Sequence, residues 1–308
     1  MAAFRFNFGG APALAGAGGG EGAGAAAEAE AELPEAEVVP WGRPARGATW
    51  EVVAVAGGRG GRDGTRPLLE LEKVVPPAGA EAGGGLGARG SSKRSDLVAG
   101  VYEGGFKAWE CGTDLAQYVW ARHGGAARGD GEERGGLSGR RVLELGCGHG
   151  LPGLVAARLG AAVDFQDYNR EVILQATQPN VRRNLAVWGQ AGREGKTAFF
   201  AGPWSRLGGL LPRGAYDVVL TAETIYDPAG HEALLDLIRH CLRPGGVALV
   251  ATKAHYFGVG GGAAAFRLAV EGSGWACSTV KEWDDGCSNM RCVLRLDRGD
   301  AGSDPPIF

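Results

Sequence analysis

The sequence predicts an α/β fold in which helices cover a mostly parallel sheet that ends in an antiparallel hairpin. From Asp96 onward, short apolar strands alternate with helical segments, as in βαβ units. One of these strands, 141–145, runs into the glycine-rich stretch 146–150, a pattern typical of a strand leading into a ligand-binding turn. The last two apolar runs, 277–283 and 290–296, are joined by a loop that starts Asp-Asp-Gly, which predicts the hairpin.

The elements of the predicted domain follow in a regular order. A helix over 109–123 has Thr113 and Asp114 near its start and apolar residues at helical spacing. A polar, glycine-rich loop over 124–139 separates it from the first strand. Then come strand 141–145, helix 151–159, strand 162–166, helix 170–188, strand 197–201, strand 216–221, helix 230–242, strand 247–252 and helix 263–271.

The N-terminal third has a different composition. Many of the 56 glycines and 15 prolines fall there, in stretches such as 9–20. Such stretches bury too little apolar surface to offset chain ordering, which costs about 1–2 kcal/mol per residue. We therefore expect it to be largely disordered, except that 50–56 and 68–75 are apolar enough for a short strand or a docking element. The predicted division is a low-complexity region over 1–94, a domain over 95–298 and a disordered tail over 299–308.

Charge narrows the choice of partners. The net charge of −3 argues against binding driven by the nucleic-acid backbone and leaves basic protein partners open. Six glutamates between 21 and 37 form an acidic segment, which solvates a tail or attracts a basic client.

The absence of targeting signals and the spacing of the cysteines indicate in which cellular compartment the protein is expected. No apolar run approaches the roughly 20 residues of a membrane span, and no secretory signal pattern opens the chain, so we expect a soluble protein without membrane contact. The six cysteines form no CxxC pair or zinc-type cluster, which predicts no disulfide framework and no metal site. A reducing compartment, cytosol or nucleus, fits best.

The glycine stretch leaves three interpretations open. Gly148, Gly150 and Gly153 satisfy the GxGxxG pattern, and Asp167 follows Gly148 by 19 positions, as in a nicotinamide-dinucleotide enzyme. A glycine turn without any ligand is the second interpretation. Three other features favour a third interpretation: Glu144 lies two residues before the first glycine, a terminal hairpin is predicted, and no substrate domain is recognisable. With these features the chain resembles class I S-adenosylmethionine-dependent methyltransferases, which is the third interpretation.

Two further residues follow predicted strands. Asp167, at the carboxyl edge of the second strand, is placed to accept hydrogen bonds from both ribose hydroxyls; the alternative is a helix cap for the segment at Asn169. Trp204, just after the third strand, is placed to stack on or edge an adenine; the alternative is an exposed loop tryptophan.

Five ordered stretches carry a narrower resemblance. They are 96–111, 165–169, 202–205, 223–226 and 253–262, and the aromatic start at 4–8 is also similar. From Ser95 to about Leu296 the chain resembles the protein-histidine N-methyltransferases, a branch of the seven-stranded class I fold. The resemblance implies S-adenosylmethionine as cofactor, without a metal.

The resemblance also implies a cofactor site. Trp109 and Glu110 approach its methionine end with Gly146 beneath, and Gln166 helps to hold the ribose and adenine. Ala222 stands where a serine is expected and Pro203 where a non-proline is usual, which removes one N–H. The implied cofactor residues are Ala108, Trp109, Glu110, Cys111, Gly146, Gly148, Gln166, Asp167, Tyr168, Gly202, Pro203, Trp204 and Ala222.

The predicted acceptor site uses Glu223, Tyr226 and His255. Glu223 and Tyr226 fit a [DE]-x-x-[YF] signature shared with lysine methyltransferases, so lysine stays open as the acceptor. We expect Glu223 to fix the tautomer of an acceptor imidazole by accepting its other N–H, and Tyr226 to wall it. His255, Tyr256 and Phe257 would form a lip over the acceptor, or a buried core histidine with a glycine turn, and Lys253 is interpreted as a structural residue at the strand end.

The family's clients imply the partner and the compartment. The expected substrate is a histidine of a large-subunit ribosomal protein, a basic client that suits an acidic enzyme. The cytoplasm and the nucleus, including the nucleolus, are the expected locations, and a monomer is the default. A non-catalytic factor that binds a ribosomal protein during assembly is the alternative from another class.

Overall fold

A computed structural model of the chain describes residues 33–42, 49–56, 68–75, 103–124, 136–284 and 289–297. Two sheets are present in these residues, one of eight strands and one of two. The described strands are β1 (Glu37–Val38), β2 (Thr49–Ala56), β3 (Leu68–Val75), β4 (Arg141–Leu145), β5 (Ala162–Asp167), β6 (Phe199–Ala201), β7 (Tyr216–Ala222), β8 (Leu242–Lys253), β9 (Ala276–Trp283) and β10 (Arg291–Asp297).

The described α-helices are α1 (Glu110–His123), α2 (Leu151–Arg158), α3 (170–187), α4 (His231–Cys241) and α5 (Ala263–Gly272). Helix α3 is continuous but changes winding, from Arg170–Val172 through a π-helical turn at Ile173–Thr177 to Gln178–Val187. Three short 3₁₀ segments lie at Ala191–Lys196, Trp204–Gly209 and Pro228–Gly230.

The large sheet has the strand order β1-β6-β5-β4-β7-β8-β10-β9. Strands β6, β5, β4, β7 and β8 are parallel, whereas β10 is antiparallel to both β8 and β9. Since β5 and β7 flank β4 on opposite sides, the connections diverge at their carboxyl ends and open a crevice. The predicted class I α/β fold with its terminal antiparallel hairpin is confirmed.

Apolar side chains cover both faces of the sheet. On one face Leu115 of α1, Leu154 of α2 and Val181 of α3 belong to one buried cluster with the strands. On the other face Ile238 of α4 and Phe266 of α5 belong to a second. The strands between them are near-continuous apolar runs, as expected for a parallel sheet that is buried on both sides.

The two apolar exceptions predicted in the N-terminal third are confirmed as strands, and a further segment is also ordered. Strands β2 and β3 do form, as an antiparallel hairpin that packs against α1 and α3, and its Val55 and Leu71 are fully buried. Residues 33–42 also join the domain, because β1 pairs with β6. The folded unit therefore includes residues before 95. The predictions for the rest of 1–94, including the aromatic start at 4–8, and for 299–308 fall outside the described residues.

Strand β8 begins earlier than predicted. Leu242 pairs with Tyr216, and the next partners are Val247 and Val218, so the 243–246 turn bulges out between two paired positions. Apolar periodicity gives no sign of a strand interrupted by Pro-Gly-Gly. Within the described residues no helix has the length and apolarity that a membrane span needs.

The packing of Gly153 generates a stability prediction. A Cβ added to Gly153 would lie 2.4 Å from Cε1 of Phe165 and 2.5 Å from Oε2 of Glu144. Gly153→Ala should therefore lower the free energy of unfolding by about 1–3 kcal/mol in a urea titration followed by circular dichroism. The control is Gly272→Ala in α5, where nothing lies within 4 Å of the new atom. Equal stability of the two variants would contradict the prediction.

Candidate active site

A cavity of about 390 Å³ opens at the carboxyl ends of the central parallel strands. Gly146 after β4, Asp167 at the end of β5 and Ala222 at the end of β7 line it. Its position is the switch point where α/β sheets bind ligands, and its volume is that of a small-molecule pocket.

The glycine loop 146–150 forms the floor. Gly146, Gly148 and Gly150 have φ angles of 59°, 50° and 72°, a left-handed region that glycine enters at little cost. Gly150 directly precedes α2, so the loop leads into a helix N-terminus. This conformation brings the backbone to the cavity wall.

Glu144 supports the loop from below. Its side chain is buried, and Oε2 accepts the Gly153 N–H of α2 at 2.7 Å. Burial raises the pKa of Glu144 well above its ordinary value, although the Gly153 N–H opposes the rise. A carboxyl group at a helix N-terminus thus fixes the angle between β4 and α2.

Asp167 lies in the wall with both oxygens engaged. Oδ2 accepts the Gly148 N–H at 2.9 Å, and Oδ1 accepts the Asn169 N–H at 3.1 Å. The bond to Asn169 is the one that the capping alternative anticipates, and it leaves the carboxylate in the cavity lining. Burial raises the pKa of Asp167 to about 6 against the lowering effect of these N–H donors.

Gln166 lies behind the wall rather than in it. Its side chain is fully buried and outside the lining, where Oε1 accepts the Gly146 N–H at 3.2 Å and the Trp204 indole N–H at 3.1 Å. Its amide donates to the Gly202 carbonyl at 2.9 Å. Gln166 therefore sets the distance between the glycine loop and the segment after β6.

The π-helical turn of α3 supplies a second support for the loop. It places the Thr177 hydroxyl 2.7 Å from the Gly148 carbonyl, to which it donates. Single π-turns inside α-helices are frequent at functional sites. Thr177 was not predicted as a site residue, because helical periodicity gives no signal for a π-turn.

His149 ties the loop to the segment before α1. Its Nε2 donates to the Phe106 carbonyl at 2.8 Å, and the Asn180 amide lies 3.3 Å from Nδ1. Burial lowers the pKa of His149 to about 4, although the bond to Phe106 raises it. The imidazole is therefore neutral at pH 7 and acts as a fixed link.

The segment 103–109 covers the cavity. The Glu103 N–H donates to Oδ1 of Asn169 at 3.1 Å, and the Trp109 indole donates to the Gly104 carbonyl at 3.1 Å. A Cβ on Gly105 would lie 2.8 Å from Val172, so this position needs glycine. Glu103, Gly104 and Gly105 line the cavity but were not predicted as site residues; the glycine pair within the 96–111 stretch was the available signal.

Glu223 lies at the opposite wall in a strained conformation. Its φ of 59° makes it the one non-glycine residue with positive φ in the described part of the chain, and such strain is typical of functional sites. Oε2 accepts the Tyr256 hydroxyl at 2.5 Å, and Oε1 lies 3.4 Å from the Cys111 N–H and 3.5 Å from Nζ of Lys253. Protein donors thus already hold this carboxylate.

Lys253, at the end of β8, lies between the carboxylates of Glu110 and Glu223. Nζ lies 3.4 Å from Oε2 of Glu110 and 5.7 Å from the centre of the Trp109 ring. Burial lowers the pKa of Lys253, but the charges of Glu223 and Glu110 raise it to a net value above normal. The charged lysine fits its interpretation as a structural residue.

Tyr226 closes the cavity from above. Its hydroxyl donates to Oε2 of Glu103, which joins the segment after β7 to the segment before α1. Its ring meets the edge of Tyr256 at a centroid distance of 6.4 Å. Tyr226 is therefore part of the cavity wall.

His255 has a position that does not support its predicted catalytic role. Its side chain is exposed and outside the cavity lining, and its carbonyl accepts the Asn289 amide. Of the predicted lip, Phe257 is 72% exposed, whereas Tyr256 turns inward to Glu223. The exposed part of the lip is thus His255 with Phe257.

The cavity brings together most of the predicted site residues. The predicted residues that line it are Ala108, Trp109, Gly146, Gly148, Asp167, Tyr168, Pro203, Trp204, Ala222, Glu223 and Tyr226. Those outside the lining are Glu110, Cys111, Gln166, Gly202 and His255. Of these, Cys111 and Gln166 hydrogen-bond to lining residues, whereas Glu110 and His255 are exposed. Acidic side chains outnumber basic ones in the lining, with Glu103, Glu144, Asp167, Glu223 and Asp227 against Lys107.

Comparison with known proteins assigns the family. The profile of a family described as lysine methyltransferase matches residues 99–257, half of the chain. The chain belongs to this family of methyltransferases.

Individual relatives are more specific in name. The histidine protein methyltransferase 1 homolog of Dictyostelium discoideum is 39% identical over 211 residues, covering 66% of this chain and 60% of that protein. Its mouse counterpart is 38% identical over 218 residues, covering 63% and 57%. The zebrafish protein N-lysine methyltransferase METTL21A is 36% identical over 120 residues, covering 39% and 52%. The resemblance to protein-histidine methyltransferases is confirmed, and the chain spans about 60% of the length of these histidine-type relatives.

Proposed function

We propose that this protein is an S-adenosylmethionine-dependent protein-histidine N-methyltransferase. The observation that carries the proposal is one cavity with two different walls. One wall has a buried carboxylate at the end of β5, Asp167, and the other has the Glu223-to-Tyr226 segment after β7. The family match supports methyl transfer, and the names of the relatives support a histidine acceptor.

The residues present fit the cofactor. Left-handed glycines at 146, 148 and 150 leave the floor without side chains, and the volume of about 390 Å³ suits a ligand of this size. The acidic lining suits a cation, and the bound cofactor supplies a methyl group on a positively charged sulfonium. Asp167 would hold the ribose hydroxyls, Trp204 and Tyr168 would lie at the adenine, and Trp109 at the methionine end.

The acceptor chemistry needs orientation more than a strong base. A free imidazole with a pKa near 6.5 is mostly neutral at pH 7, so a ring nitrogen offers its lone pair directly. Correct placement supplies up to about 7–11 kcal/mol of the barrier. Glu223 would accept the other ring N–H with a lone pair not used by Tyr256, and Tyr226 would exclude water from above.

The proposed substrate is a histidine of a basic ribosomal protein of the large subunit. The net charge of −3 and the acidic cavity lining suit a basic client. Such a client is met in the cytoplasm and in the nucleus or nucleolus, which are the locations we propose, with a monomeric enzyme.

A lysine acceptor is the second candidate, favoured by the family's description and by the similarity to METTL21A. Lysine must first lose a proton, which costs about 5 kcal/mol more than for imidazole. Within the described residues of the cavity, Glu223 is already bonded to Tyr256 and Lys253, a poor arrangement for removing that proton.

The test of the function locates the transferred methyl group. The purified protein is incubated with methyl-labelled S-adenosylmethionine and ribosomal proteins from cells that lack it, and fragmentation mass spectrometry finds the labelled residue. We expect label on a histidine. Label on lysine would reassign the acceptor, and cofactor binding without any label would favour an assembly factor.

The pKa of Asp167 predicts how cofactor affinity depends on pH. The ionised carboxylate accepts the ribose hydroxyls, so affinity should fall as pH drops through the pKa of about 6. Between pH 7 and pH 5 the Kd for S-adenosylhomocysteine, measured by calorimetry, should rise by about tenfold. Asp167→Asn should bind weakly with little change over this range. A wild-type Kd that does not vary between pH 7 and 5 would refute the assignment.

The position of Glu223 predicts a turnover defect. Glu223→Gln keeps the size of the side chain but accepts the ring N–H less well, so kcat should fall by about 10- to 100-fold while cofactor affinity is retained. The control is Glu232→Gln, an exposed glutamate of α4, which should keep normal kcat. Full turnover by Glu223→Gln would remove Glu223 from the acceptor site.

A further inference from the structure

Residues 33–42, here called the N-terminal strap, run along the outer edge of the sheet towards the cavity. The strap lies in the region 1–94 that was predicted to be largely disordered, yet Leu33 at its start lines the cavity. Its other end lies against α3, where the Gly42 N–H donates to Oε1 of Gln178 at 2.7 Å. The strap thus runs from α3 to the cavity.

Its second half is firmly attached. Glu37 and Val38 pair with Ala201 and Phe200 of β6, and the Val39 N–H donates to the Phe199 carbonyl at 2.8 Å. The Trp41 ring meets Phe199 edge-on at 4.8 Å. Backbone pairing and aromatic packing together fix the direction in which the first half leaves β6.

The strap passes so close to Gly202, a residue of the 202–205 stretch, that this position has no room for a side chain. Gly202 has a φ of 122°, and a Cβ there would lie 2.7 Å from Cα of Ala36. Gly202 lies outside the cavity lining, so its own contact with the ligand does not explain why it is glycine. Close passage of the strap explains it, which makes the strap and the 202–205 stretch one unit.

The first half of the strap reaches the cavity beside the same stretch. Glu35 forms an ion pair of 2.5 Å with Arg206, in the 3₁₀ segment that begins at Trp204. Since the Glu35 side chain is 88% exposed, this pair contributes little stability and mainly sets orientation. Leu33 is then a half-buried apolar side chain in a wall shared with Pro203 and Trp204.

We propose that Leu33, positioned by the N-terminal strap, is part of the cofactor site and covers the adenine; this rests on the proposed function. The position of the strap in the strand order indicates which end of the ligand Leu33 would contact. Asp167 on β5 marks the ribose, Glu223 after β7 marks the methyl end, and the strap lies beyond β5 on β6. The part of the ligand beyond the ribose is the flat adenine, whose face suits an apolar side chain.

A calorimetric comparison of full-length variants tests this role. Leu33→Ala removes the contact, Leu33→Met conserves it, and Val38→Ala is the matched control, since Val38 is 53% exposed on the same strap. The probes are S-adenosylhomocysteine and 5′-methylthioadenosine, which share the adenosine but differ at the amino-acid end. Leu33→Ala should weaken both probes by about tenfold, whereas Leu33→Met and Val38→Ala bind like wild type.

The outcomes separate the strap from the proposed function. If wild type binds both probes and Leu33→Ala matches Val38→Ala, Leu33 has no role in cofactor binding and the proposed function stands. If Leu33→Ala weakens S-adenosylhomocysteine alone, Leu33 is not at the adenine. If wild type binds neither probe, the cofactor assignment fails and the strap proposal with it. Unchanged thermal unfolding of Leu33→Ala shows that a lost affinity is local to the site.

Discussion

The geometry of the cavity depends on two buried carboxyl groups that accept backbone N–H bonds from the glycine loop and from the helix that follows it. Glu144 at the end of β4 holds the start of α2, and Asp167 at the end of β5 holds Gly148. A buried carboxylate without such donors would cost several kcal/mol, so the loop and the two side chains stabilise each other. The loop conformation in turn requires glycine, because its φ angles are left-handed. Strand, loop and helix are therefore fixed as one unit before any ligand binds.

The opposite wall of the cavity, at Glu223, is held by side-chain contacts instead of backbone N–H groups of a glycine loop. There Glu223 has a strained backbone conformation, and its carboxylate accepts a hydrogen bond from Tyr256 and lies close to Lys253. Lys253 is the last residue of β8, and Tyr256 lies in the loop that follows it. Tyr226 and Glu103 join this wall to the segment that covers the cavity. A change in the loop after β8 thus reaches the proposed acceptor side directly, whereas the proposed cofactor side is anchored in β4 and β5. This division suits an enzyme that binds one cofactor and admits a protein substrate.

The sequence predicts the fold better than the site. Apolar runs and glycine turns identify β4, β5, β7 and both strands of the terminal hairpin within a residue or two, because local pattern determines them. Motif resemblance finds Asp167 and Trp204 in the lining. Motif resemblance also predicts Gln166, Gly202 and His255 as site residues, although they lie outside the lining. A motif identifies residues that matter for a site but does not show whether their side chains face the cavity or lie behind it. The 33–42 strap escapes prediction because its environment is low in complexity and its partners lie more than a hundred residues away.

The pairing of β1 with β6 has a consequence for any shortened form of this protein. A fragment beginning at residue 95, the boundary that composition suggests, would lose β1. The N–H and C=O groups of Phe199–Ala201 that point away from β5 would then face solvent as a bare sheet edge. Phe199 would also lose the cover of Trp41. An exposed apolar edge strand is a template for pairing with another copy. Self-association of such a fragment would then reflect the missing cover on β6 rather than a natural oligomer.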